Sequence, residues 1–196
     1  MSVPIHIVSC CLQSEKGNAA MADFTARMIR AAKLDANLYE EVEADHGATG
    51  QAATVVIISS IAAGIGALPG GAFSGLIFIT LASLLGWVVW ALMTYWIGTR
   101  LLPEPQTHAD LGQMLRTTGF SSSPGIIRVL GLVPGLGLPT ALLGGIWMLI
   151  AMVIAVRQAL DFSSTGRAVG VCVIGWIIQL VILFAIGPGP FTGQAQ

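Results

Sequence analysis

The chain has 196 residues, of which 55% are hydrophobic and only 10% are charged, and its net charge is −1. Soluble domains carry about 25% charged residues, so a chain this apolar has more hydrophobic surface than one core can bury. The composition therefore predicts an all-α integral membrane protein of a single domain, and the near-neutral charge gives no reason to expect a nucleic-acid partner.

The N-terminal region precedes the apolar part of the chain. Residues 1–20 show no hydrophobic periodicity. We expect them to be a disordered tail, or else to lie upstream of the true translation start. Residues 21–50 are predicted to form a cytoplasmic helical segment, whose first helix is amphipathic. Such a helix can lie among anionic headgroups or pack against the protein's own spans, and the sequence leaves both open. Its basic rim consists of Arg27, Arg30 and Lys33.

A second short helix is predicted over Ala36–Ala44. Asp35 can cap it, because an aspartate oxygen accepts the free N–H groups of a first helical turn. Its apolar side carries Leu38, Tyr39 and Val42. This side is expected to pack on the spans or on a partner.

Residues 51–187 are predicted to form the membrane-spanning domain. Crossing the hydrocarbon takes about 20 residues, and four uncharged stretches meet that need: Ala52–Leu68, Leu76–Gly98, Thr140–Val156 and Ala168–Ile186. A fifth segment, 124–138, is short, contains Arg128 and is interrupted by glycine and proline. We expect it to be a kinked or partly broken third span, or else a re-entrant segment.

The basic residues favour five spans over four, because cytoplasmic loops collect Lys and Arg. With five spans every basic residue falls on the N-terminal side, provided that Arg128 lies near the cytoplasmic end of its span and snorkels there. The distribution predicts a cytoplasmic N-terminus and an outside C-terminus, with 188–196 as a short non-cytoplasmic tail. The 100–123 loop is expected to hold a short interfacial helix beginning near Asp110.

No sequence motif indicates catalysis, a cofactor or a metal site, so an enzyme is not expected. Polar residues in or beside the spans are the candidates for contact with lipids or partners. Arg128 could bind a lipid phosphate or a carboxylate such as Asp161, and Gln179 is expected to make an interhelical hydrogen bond. The full set of candidates is Arg27, Arg30, Lys33, Tyr39, Arg128, Arg157, Asp161 and Gln179.

Three stretches carry a family resemblance. They are LYEEVEAD at 38–45, the GF, PG and RVLG groups within 119–131, and Trp147 followed by AVRQALD and TGRA within 155–168. With them, the chain from about Met21 to Gly187 resembles the bacterial branch of the Yip family, which is related to the eukaryotic Ypt/Rab-interacting proteins. The resemblance implies a five-span bundle with a cytoplasmic N-terminus in a bacterial inner membrane. Eukaryotic relatives resemble adaptors that bind prenylated small GTPases, but no residue here justifies carrying that binding over.

Three functions follow as hypotheses. The first is a non-enzymatic membrane scaffold, adaptor or accessory subunit that binds the bilayer and other membrane proteins or forms a homo-oligomer. The second is a small transporter or channel component that uses the broken third span. The third, an enzyme acting on lipid, would need His108, Asp110, Arg157 and Asp161 to meet at one interface.

Overall fold

The computed structural model describes residues 21–67 and 76–186, and every regular element in those ranges is helical. The predicted tails at 1–20 and 188–196 lie outside the described residues. The elements in chain order are α1 (21–32), α2 (Ala36–Ala44), α3 (Ala48–Gly66), α4 (Leu76–Trp96) with a π-helical continuation (Ile97–Leu101), α5 (Leu111–Phe120), a 3-10 helix (Ser123–Leu132), α6 (Gly137–Ala159) and α7 (Thr165–Ile186).

Four helices in the described ranges are long and apolar enough to cross a membrane. They are α3, α4 with its π-helical continuation, α6 and α7, which confirms four of the five predicted spans. Of the apolar window of α3, 44% is buried inside the protein, against 11% for α4. α3 is therefore the central helix of the bundle and α4 a peripheral one.

The predicted third span is a 3-10 helix, Ser123–Leu132, with proline in its first turn. At about 2.0 Å rise per residue it is roughly 20 Å long, which is less than the hydrocarbon thickness of about 30 Å. The segment is broken, as its glycines and prolines predicted, and it does not form a long α-helix.

α5 and the 3-10 helix run along α3 in the same direction as α3. An added Cβ at Gly119 would lie 2.7 Å from the Cβ of Ala52, and one at Gly131 would lie 2.8 Å from the carbonyl oxygen of Gly66. Between them, Gly125 has no room for a side chain beside Ser59. The backbones approach so closely because these positions lack a Cβ.

α6 returns in the opposite direction against the same segment. A Cβ at Gly144, in the first half of α6, would lie 3.1 Å from Ile127 and 3.2 Å from the Arg128 Cγ. Met148, one turn later, meets Gly125. The 3-10 helix is thus held between α3 and α6.

α1 and α2 form an N-terminal hairpin, 21–44, that packs on the bundle. Ala31 and Tyr39 are fully buried in a cluster that includes Phe120 of α5 and Ala155 of α6. The Trp147 indole N–H also donates to the carbonyl of Ala32, at 2.8 Å. Of the two alternatives for α1, these contacts favour packing against the protein's own helices.

α5 begins at the predicted Asp110, whose side chain accepts from the backbone N–H of Gln113 in a capping box. The helix is therefore confirmed, and one side of it is buried against the other helices. Met114 and Phe120 have no exposed surface. Met114 packs with Ile97 and Leu160 where α4 and α6 end.

We expect Gly66→Ala to destabilise the protein, because the new Cβ would overlap the backbone carbonyl of Arg128. Overpacking of this kind costs about 1–3 kcal/mol, measured as a lower midpoint of thermal unfolding in detergent. Gly50→Ala is the matched control on α3, since nothing lies within 4 Å of its Cβ position. Equal midpoints for the two variants would contradict the close approach.

Candidate functional site

Arg27 is held by acidic side chains of the N-terminal hairpin. Its guanidinium lies 2.8 Å from the carboxylate of Asp45 and 2.9 Å from that of Glu41. It also donates to the Gln51 amide oxygen at 3.0 Å, and its side chain is only 12% exposed. This candidate lipid contact is therefore engaged inside the protein.

Arg30 makes the second half of the same network. It lies 2.8 Å from Asp35 and 2.6 Å from Glu41, so Glu41 bridges the two arginines. Hydrogen bonds from Arg30 and Arg27 hold the pKa of Glu41 below its usual range. Lys33 lies exposed in the turn between α1 and α2 and is the part of the predicted basic rim that faces outward.

Arg116 was not among the predicted site residues, yet it is the most buried arginine described, with 3% exposure. Its Nε donates to the carbonyl of Val42 at 3.0 Å, and its guanidinium also donates to that of Glu43. α2 has no basic residue in its last turn. Arg116 supplies the positive charge that stabilises the C-terminal carbonyls of α2. A lone arginine inside the amphipathic α5 was the only signal in the sequence.

Glu43 stands next to this contact. Burial, and then the charge of Asp161, raise the pKa of Glu43 to about 7, while Arg116 opposes the shift. Tyr39, one turn earlier on α2, is buried with no hydrogen-bond partner for its hydroxyl, and burial raises its pKa. The packing side predicted for α2 is confirmed, because Leu38, Tyr39 and Val42 are all buried.

Arg157 lies in the last turn of α6, and Asp161 follows in the turn to α7. Arg157 donates to the carbonyl of Phe162 at 3.3 Å and to that of Ser163 at 3.5 Å. Asp161 has φ of +51°, the left-handed conformation that commonly ends a helix. Both residues therefore serve the local turn.

Arg128 lies at the end of the bundle where α3 ends. Its carbonyl meets Gly66 at the end of α3, and its Cγ and Nε pass over Gly144 of α6. At about 1.5 Å per residue, Gly144 is roughly 10 Å from the start of α6 and 22 Å from its end. The predicted snorkelling required Arg128 to lie on the N-terminal side of the bundle, but it lies beside the end of α3, because α5 has already carried the chain along α3 before the 3-10 helix begins.

The suggested pairing of Arg128 with Asp161 is wrong for the same reason. Asp161 follows the far end of α6, so the length of that helix separates the two side chains. The described spans and the 3-10 helix contain no aspartate or glutamate. Arg128 thus has no carboxylate beside it in those segments.

Three cavities meet at Arg128, with volumes of about 250, 400 and 530 Å³. The first two share Trp90, Arg128, Met148, Met152 and Gln179, and together they form what we call the Arg128 cavity. The Nε of Arg128 is buried and has no hydrogen-bond partner. Gln179 makes no hydrogen bond to the described part of the chain, so the predicted interhelical bond is not found there. Instead, Arg128 and Gln179, the two polar residues predicted inside the membrane, line the same cavity.

The residues weighed for lipid chemistry lie at one end of the bundle but are engaged in different local contacts. His108 and Asp110 line one polar cavity with Tyr95, whereas Arg157 donates to carbonyls of the α6–α7 turn. The charges of Asp110 and Asp161 both act on Glu43. Within 21–67 and 76–186 no three His, Cys, Asp or Glu residues are placed to hold a metal ion.

A family model described as the Yip1 domain matches residues 36–186. No curated protein and no solved structure matches the chain. The matched range begins with α2 and ends with α7, so it contains the Arg128 cavity and the Arg116 contact. The match does not favour the transporter alternative.

We expect the protein to lose stability as the pH rises through about 7, because Glu43 must then ionise while half-buried. A carboxyl whose pKa is raised on folding stabilises most below its unfolded value of about 4.5, and that contribution is lost as the pH rises through its folded value. Glu43→Gln should raise the unfolding midpoint at pH 8 and flatten its pH dependence. After discounting for solvent screening the effect is roughly 1 kcal/mol.

Thermal unfolding in detergent at pH 5.5 and pH 8 measures this dependence. Asp23→Asn, which alters an exposed carboxylate on α1, is the control and should keep the wild-type slope. A Glu43→Gln slope equal to that of the wild type would contradict the assignment.

Proposed function

The chain belongs to the Yip1-domain family, and on that premise we propose that it is a non-enzymatic integral membrane scaffold or adaptor. It would hold other membrane proteins, a second copy of itself, or lipids. The bacterial branch, the cytoplasmic inner membrane and the division into a cytoplasmic 21–50 and a spanning 51–187 are parts of this proposal. The bilayer is its first partner, since four apolar helices are long enough to cross it.

The observation that carries the proposal is an unpacked ridge on α4. Its large apolar side chains at helical spacing are 45–79% exposed: Ile77, Leu81, Leu85, Val89 and Leu92. Residues three or four apart lie on one helix face, so these side chains form one continuous surface along the span. A helix of another membrane protein can pack along such a ridge without rearranging the other helices of the bundle.

The N-terminal hairpin supplies a second surface. Ion pairs of Arg27 and Arg30 fix its shape, while Ile29 is 50% exposed and Lys33 faces outward. Because Trp147 holds the end of α1 against α6, this apolar and basic tip lies beside a spanning helix. An apolar and basic surface of this kind suits contact with anionic lipid.

We further propose five crossings, with the N-terminus in the cytoplasm and the C-terminus outside. The path of α5 and the 3-10 helix supports this count, since it follows α3 from Ala52 to Gly66. The start of α7 packs beside Ile97 at the end of α4, so α7 leaves from the hairpin's end of the bundle. Apart from Arg128, the described basic residues lie toward that end, in line with the positive-inside rule.

The topology has a direct test. Epitope tags at residues 1 and 196 should report opposite sides of the membrane when protease or antibody is added to intact cells and then to permeabilised cells. Two tags that become accessible together would mean an even number of crossings and would remove this part of the proposal.

We expect a photo-crosslinking residue at Leu85 on the α4 ridge to capture a protein of defined mass in intact membranes. Leu180 on α7 is the control position, because its side chain is also about half exposed. A partner that packs on the α4 ridge should give a band from Leu85 that Leu180 does not give. Lipid-sized adducts alone from both positions would contradict the scaffold.

A further inference from the structure

We propose that the Arg128 cavity binds the phosphate group of an anionic phospholipid. The lipid would come from the leaflet at the end of the bundle where α3 ends and α6 begins. This inference rests on the proposed membrane embedding, and it adds the class of ligand and the residue that receives it.

The first observation is that Arg128 lacks the acceptors that other arginines have. Five others donate hydrogen bonds to protein oxygens: Arg27, Arg30, Arg116, Arg157 and Arg167. The Nε of Arg128 is buried without a partner, which is costly for a charged donor. The spans that the structure describes contain no acid, so an anion from outside these helices is the chemistry that would satisfy it.

The second observation is a path from Arg128 to the end of the bundle. The cavity of about 530 Å³ is lined by Arg128 together with small residues of α3 and α6, among them Ala63, Gly66, Gly137 and Ala141. Because these side chains are small, the described residues leave space between the end of α3 and the start of α6. Gly144, over which the Arg128 stem passes, lies only about 10 Å from the start of α6. A headgroup can therefore reach the guanidinium without crossing the bilayer.

The third observation favours a lipid over a free phosphate ion. Beside Arg128 and Gln179, the cavity of about 250 Å³ is walled mainly by apolar side chains. Trp90 and Trp176 meet edge to face there, with ring centroids 6.4 Å apart. These walls would contact an acyl chain, whereas a hydrated inorganic ion gains nothing from them. The guanidinium can donate two parallel hydrogen bonds to phosphate oxygens, and the Gln179 amide offers a neutral donor nearby.

The experiment uses the full chain, purified in mild detergent and stripped of native lipid. Binding is measured by native mass spectrometry and by the shift in thermal unfolding on adding dioleoyl phosphatidylglycerol, dioleoyl phosphatidylcholine or inorganic phosphate. Arg128→Gln removes the cation, and Gln179→Leu removes the amide while Arg128 stays. Arg100→Gln is the matched control, since Arg100 is exposed at the far end of α4.

We expect phosphatidylglycerol to bind the wild-type protein and the Arg100→Gln variant alike. Arg128→Gln should lose about tenfold or more in affinity, as expected for charge-assisted hydrogen bonds, and Gln179→Leu should lose less. Phosphatidylcholine should bind more weakly, because its choline group offsets the phosphate charge, and inorganic phosphate should not compete.

Three results would overturn the proposal. They are unchanged phosphatidylglycerol affinity in Arg128→Gln, equal binding of the two lipids, or stabilisation by inorganic phosphate as large as that by lipid. If Arg128→Gln does not fold, Gln179→Leu decides, since its exposed side chain leaves the packing intact; wild-type affinity there would count against the site. A failed crosslink from Leu85 would leave this result unaffected, so the scaffold and the lipid site fail separately.

Discussion

Contact between two backbones, at Gly66 of α3 and along Arg128–Gly131 of the 3-10 helix, is the constraint on which the rest of the bundle depends. The backbones of two helices come this close only where no Cβ lies between them. The contact brings the 3-10 helix alongside α3, and so determines where α6 can begin its return. It also sets the depth of Arg128, whose carbonyl is one of the touching groups. The position of Arg128 thus follows from glycine packing.

Charged side chains have different surroundings at the two ends of the molecule. At the hairpin's end, Glu41 bridges Arg27 and Arg30, and Arg116 caps α2. These side chains are paired, and they hold the helices together. At the other end the Arg128 guanidinium borders a cavity, and the described spans around it contain no Asp or Glu. Ion pairing at the first end makes a fixed platform, while the missing acceptor at the second makes that end receptive to an anion from the membrane.

Local chemistry made α2 and the start of α5 predictable. Asp35 accepts from the Asn37 N–H, and Asp110 with Gln113 forms a capping box, both of which follow from residue types a few positions apart. The four long apolar helices were predictable for the same reason, since length and hydropathy are local properties. The family was also accessible from short stretches, and the match over 36–186 agrees with the resemblance.

The depth of Arg128 and the role of Arg116 were not predictable in this way. Counting residues from the start of a presumed span assumes an α-helical rise from the membrane edge, but α5 enters the bundle before the 3-10 helix starts. Arg116 contacts carbonyls more than seventy positions away, at a sequence separation of 74 for Val42. No local pattern encodes a contact of that range. The shared cavity of Arg128 and Gln179 likewise depends on the return of α6 and α7.

The hydrogen bond from Trp147 to Ala32 links residues 115 positions apart, which bears on how the protein is made. α1 and α2 leave the ribosome long before the helix that holds them exists. At about 5–20 residues per second, the wait is on the order of ten seconds. During that interval Tyr39 and Leu38 have no partner surface from α6, and Arg116 has not yet been synthesised to cap α2. The hairpin can therefore complete its packing against α6 only as a late step, after α6 has been synthesised.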